Sequence, residues 1–157
     1  MATTATYRIG DEPMPGPLQH LVVNPVWPLL AVMLGGVWLS WPWFVLNGFA
    51  VGSPSRRREL GVAVAGVAVS ALLVVIVVYL VGAGILGRDD ARYMLVGVTA
   101  WKLAVCYWLY TLQTRSFGLY QHFGGKVRNG LWVVLAALFL RGAVLGPLPP
   151  FLQMVLS

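Results

Sequence analysis

Apolar residues fall into four long blocks along the chain, with polar residues gathered between them. The blocks cover residues 25–49, 60–86, 91–114 and 129–145. Each is continuous rather than alternating, which favours helices over the strands of a membrane barrel. About 20 apolar residues carry a helix across a hydrocarbon core of about 30 Å. Helices also satisfy every backbone N–H and C=O internally, as lipid requires. The pattern therefore predicts an all-α fold over residues 21–157, an integral membrane bundle of four transmembrane helices. Residues 1–20 read as a flexible or interfacial tail, extended around Pro13, Pro15 and Pro17.

Local signals refine these elements. Pro42 lies inside WLSWPWFVLN and removes a hydrogen bond to the previous turn, which predicts a kink near Trp38. Trp27 stands near one end of the first span and Trp41 and Trp43 towards the other, where indole rings favour headgroup depth. Asp90 is placed to cap the third helix. Pro147, Pro149 and Pro150 end the fourth helix. The following FLQMVLS is too short to span, and is expected in the interface or packed back on the bundle.

Composition changes the picture by exclusion. The chain has 157 residues, of which 59% are hydrophobic and 10% charged, and its mean hydropathy is +0.78. Soluble domains carry about 25% charged residues, so a water-soluble globule is excluded. Disorder is excluded too, because disordered segments are polar and poor in aromatic residues. The single cysteine, Cys106, rules out an internal disulfide and reads as a small buried hydrophobe.

The net charge of +6 sits mostly between apolar blocks, so it reports on topology and anionic lipid rather than nucleic acid. Arg56, Arg57 and Arg58 lie in loop one, and Arg115, Lys126 and Arg128 in loop three. Loop two holds Arg88 and Arg92. Loops one and three are thus expected in the cytoplasm, with both termini outside it. Arginine far outnumbers lysine, a bias of GC-rich bacterial genomes, and a bacterial inner membrane is the expected location.

Candidate chemistry is confined to two cations inside apolar blocks. Lys102 lies midway along the third, and Arg141 interrupts the fourth. Charges at the bilayer centre cost at least about 2.5–3.5 kcal/mol. The acids are Asp11, Glu12, Glu59, Asp89 and Asp90, all at the edges of spans. At Lys102, snorkelling, a partner helix bearing an acid, an anion or lipid headgroup, and a deprotonated working amine remain open readings. Arg141 reads either as an interface marker or as part of the same site. Small residues four apart allow close helix packing: Ala31 with Gly35, Gly36 with Ser40, Gly61 with Ala65, and Gly66 with Ser70. Asn24 and Asn47 read as caps or interhelical hydrogen bonds. His20 and His122 stand apart with no acid cluster, so no metal or other cofactor is expected.

The segment GGVWLSWPWFVLNGFAVGSPSRRREL and the piece GGKVRNGLW resemble small uncharacterised bacterial multi-pass membrane proteins, in which paired glycines lead into a helix ending in Asn and a basic turn. Pro42 and the triple arginine depart from that pattern. The resemblance implies a multi-pass fold and no particular activity. The functional expectation is a non-enzymatic subunit, assembling with itself or a membrane partner among lipids. The alternative is a channel or carrier for an anion or anionic lipid, using Lys102 and Arg141.

Overall fold

A computed structural model describes residues 13 and 16–157, and helices are its regular elements throughout. The tail expected at residues 1–20 lies largely outside the described residues. After a short 3-10 turn at Pro17–Leu21 come α1 (Val26–Leu34), α2 (Val37–Val51), α3 (Arg56–Gly82), α4 (Arg88–His122), α5 (Leu131–Leu145) and α6 (Pro150–Leu156).

α3 and α4 are long and apolar enough to cross a membrane. Their 27 and 35 residues correspond to about 40 and 52 Å. They pack antiparallel, with Glu59 against Gln113, Gly66 against Val105, and Val74 against Val98. This register is a ruler for the molecule: residue numbers facing each other across the pair sum to about 172. Asp90 does not cap α4; Gly87 does, and the Asp90 carboxylate accepts the Gly87 N–H at 3.3 Å.

The first apolar block does not form one crossing. It breaks at Gly35–Gly36 and returns as an antiparallel hairpin of α1 and α2. Ser40 Oγ donates to the Pro28 carbonyl at 2.6 Å, and near the open end the Val23 N–H donates to Asn47 Oδ1 at 2.9 Å. The break lies at the glycine pair, and α2 continues through Pro42, so the kink expected near Trp38 is replaced by a turn just before it. Gly36 has φ 99° and ψ 179°, a region open essentially to glycine alone. Trp38 Nε1 closes the turn by donating to the Gly35 carbonyl at 2.7 Å. Nor is Trp41 an interface residue: it is 2% exposed, and its indole N–H donates to Cys106 Sγ at 2.9 Å.

Folding back has a topological consequence. Val22 packs with Ala50, Val51, Phe117 and Tyr120, and the Arg128 N–H donates to the Val22 carbonyl at 2.8 Å. The segment before α1 therefore lies at the same end as loops one and three. The expectation that it lies at the opposite end fails, because a hairpin brings the chain back where a span would not.

α5 rises beside α1, with Ala137 against Gly35 and Gly130 against Trp27. The turn at residues 146–149 sends α6 back along α3, where Val155 packs with Val74 and Val98. The apolar tail thus packs on the bundle, one of the two placements its sequence allowed. Its tip reaches the hairpin turn: a Cβ on Gly36 would lie 2.8 Å from the Leu156 carbonyl oxygen. Gly36→Ala should cost about 1–3 kcal/mol in backbone strain, and this collision adds to it. Reversible unfolding in mixed micelles measures the loss; an unchanged midpoint would contradict the turn described here.

Among the small residues, Ala31, Gly35, Gly36, Ser40, Gly66 and Ser70 are buried between helices. Gly61 and Ala65 face outward, and a Cβ on Gly61 would meet open space.

Candidate functional site: a cationic centre between two helix tips

α4 carries Lys102, Cys106, Gln113 and Ser116 on one stripe, since their spacings of four, seven and three keep them within one helical face. That stripe faces the hairpin. It divides into a cationic centre halfway along α4, a thiol layer one turn on, and a carboxylate cluster towards the arginine-rich end.

At the centre, Lys102 is 4% exposed. Its ammonium donates to the carbonyls of Met154 at 2.7 Å and Ser157 at 2.9 Å. These are carbonyls at the C-terminal end of α6, which an intrahelical partner cannot reach. A cation is also the favourable charge at that end of a helix. The sequence offered no acid for Lys102, and the fold supplies oxygen dipoles instead. Among the described residues the ion pair is Arg92–Asp89, on the surface and away from this centre. Ser70 lies level with Lys102 by the α3–α4 register, buried, with its hydroxyl unpartnered.

Arg141 stands on α5, exposed, on the far side of the α6 tip. It lines a groove of about 560 Å³ between α5 and α6, with Leu138, Pro150, Gln153, Met154 and Ser157 among the other walls. Met154 and Ser157 are shared: they line the groove and hold Lys102. Sequence reasoning paired them by depth, and the fold brings them to either side of one helix end.

The thiol layer is closed. Cys106 is fully buried, accepts the Trp41 indole N–H, and lies 3.6 Å from Ser40 Oγ.

The carboxylate cluster was not anticipated. Glu59 reads as an edge acid in sequence, yet it is fully buried. Ser53 Oγ and Ser55 Oγ donate to its Oε1 at 2.9 and 2.7 Å, and Gln113 Nε2 donates to its Oε2 at 2.7 Å. Gln113 also donates to the Phe44 carbonyl, and its Oε1 accepts Asn47 Nδ2 at 3.1 Å. Asn47 is an interhelical bridge, as its position suggested. Gly52 ends α2 in a left-handed turn, with the Ser53 N–H returning to the Gly48 carbonyl at 2.9 Å, which aims Ser53 at the cluster. Gly48 leaves the room Glu59 occupies, since a Cβ there would collide with its carboxylate. The cluster is a saturated cross-link between α2, α3, α4 and the segment at Val23, not an open site.

Among the described residues no group of three or more His, Cys, Asp or Glu is placed to hold a metal ion. Comparison with family models, with curated proteins and with solved structures gives no match.

Proposed function

We propose that this chain is a multi-pass, non-enzymatic protein of a bacterial inner membrane that carries or conducts an anionic group. The group is a free anion or the phosphate of an anionic lipid, received by Arg141 with Lys102 behind it. In this reading α3 and α4 cross the bilayer, the shorter α5 packs beside them, α1–α2 enters and returns on the arginine-rich cytoplasmic side, and α6 folds back from the turn after α5. Non-helical backbone at membrane depth is tolerated where protein buries it or where it lines a cavity. Discontinuous helices whose ends meet near the midplane are also how many transporters build substrate sites.

The observation that carries the reading is the groove itself: a cation open to it and a second cation behind its wall. The reading as a subunit that assembles with itself or a membrane partner draws less support from Lys102, because that ammonium has acceptors within the chain.

The test is reconstitution in vesicles of neutral phospholipid with two arms. One follows efflux of chloride and inorganic phosphate; the other follows transbilayer exchange of labelled phosphatidylglycerol. Arg141→Gln should reduce the active arm about tenfold, the worth of one charge-assisted contact. Protein-dependent transport in neither arm, or equal rates in the variant, would remove the proposal.

A further inference from the structure

A second groove lies along α3 and α4, and it shares no lining residue with the Arg141 groove. It holds about 360 Å³ and runs from Arg58, past Gly61 and Ala65, to Val69 and Trp101, with Trp108 on its α4 wall. Its lining is apolar apart from Arg58 and the two indoles. Gly61 and Ala65 are small, four apart and outward, so they form its floor rather than packing against another helix of this chain.

We infer that this groove binds one acyl chain of an anionic phospholipid, with the lipid phosphate on Arg58. Charge complementarity comes first. Arg56, Arg57 and Arg58 are all exposed at this end of α3. The acid beside them, Glu59, is turned inward and held by Ser53, Ser55 and Gln113, so it does not neutralise them. The other acids among the described residues, Asp89 and Asp90, start α4 at the far end of the pair. Arginines at a membrane surface attract anionic headgroups.

Length comes second. From Arg58 to Val69 is eleven residues, about 16 Å of helix. Half of a hydrocarbon core of about 30 Å is about 15 Å. The groove therefore has the depth of one leaflet, with its charge at the headgroup end. Trp108 lies level with Ala63–Val64 by the α3–α4 register, a turn and a half inward of Arg58. That is the depth at which ester groups follow a lipid phosphate, and where indoles settle. A second copy seated in the same orientation across α3 would instead set arginines against arginines.

The experiment is native mass spectrometry of the full chain, released from nanodiscs of equimolar phosphatidylglycerol and phosphatidylcholine with matched acyl chains. The wild type should retain phosphatidylglycerol in preference. Arg58→Gln should lower the ratio of the two adducts about fivefold, the surface worth of one arginine. Ala65→Leu fills the groove from an exposed position and should abolish the adduct, while circular dichroism shows an unchanged melting midpoint. Arg141→Gln should leave the adduct intact. Equal retention of both lipids by the wild type overturns the inference, as does an adduct ratio that Arg58→Gln leaves unchanged. An adduct lost with Arg141 assigns the lipid to the other groove, and a second protein copy in place of lipid assigns this one to assembly; either overturns it. Should Ala65→Leu fail to fold, the Arg58 ratio still decides.

Discussion

Glu59→Leu should lower the unfolding free energy in mixed micelles by about 3 kcal/mol or more. The substitution keeps the bulk of the side chain and removes the acceptor for two buried donors, Ser53 Oγ and Gln113 Nε2, and for the half-buried Ser55 Oγ. Each donor left unpaired costs about 1–3 kcal/mol. Rearrangement of the two hydroxyls recovers part of that, since Ser53 Oγ already lies 3.2 Å from Ser116 Oγ. Glu59→Gln should fall between the wild type and the leucine variant. Its amide oxygen can still accept, but its NH2 cannot accept the remaining donors. A leucine variant within 1 kcal/mol of wild type, on the scale of one hydrogen bond, would show that the cluster does not cross-link the bundle.

Lys102→Met is the second large effect, and it separates two roles of one residue. If the ammonium fixes α6, its loss strands the Met154 and Ser157 carbonyls and loosens the tip. Hydrogen bonds to charged groups contribute about 1.5–3 kcal/mol each. Two of them give about 3 kcal/mol at the low end, on the order of a hundredfold in the open population. Val155 is 3% exposed in the closed form. Maleimide labelling of a Val155→Cys variant, above the background of buried Cys106, should therefore rise steeply when Lys102→Met is added. Unchanged labelling would mean that α6 holds its place through Val74 and Val98 packing, leaving Lys102 to the anion site alone.

The contrast between these residues shows what the sequence could convey. Lys102 was conspicuous because a cation amid apolar residues is costly wherever the chain folds. Its solution was hidden, because the acceptors are backbone carbonyls from a segment 52 residues away. Glu59 was inconspicuous for the converse reason. An acid beside three arginines looks solvated, and nothing local reveals that α2 and α4 close over it. One signal was present: Lys102, Cys106, Gln113 and Ser116 share a helical face, and a polar stripe on an apolar helix needs a polar counterpart.

α3 and α4 were legible as long helices because hydropathy measures length directly. The first block deceived the same measure, since 25 apolar residues read alike whether they cross or return. Gly35–Gly36 was noticed for its small size, whereas its decisive property is the backbone conformation that Gly36 adopts. Pro42 drew attention as the helix breaker, yet it is exposed within α2 and the helix runs through it.

The meeting of hairpin and α6 also sets an order of events in synthesis. The turn at Gly36 is made before α2 to α5, and residues 150–157, which cover it, emerge after every other helix described here. Until then Lys102 has been inserted without its acceptors, and the turn it faces stands open. A chain stalled before residue 150 thus leaves Lys102 without the Met154 and Ser157 oxygens that hold it here, and an unpaired buried cation costs several kcal/mol. A chain cut before residue 150 should therefore be less stable, and more open to proteolysis, than one that includes residues 150–157.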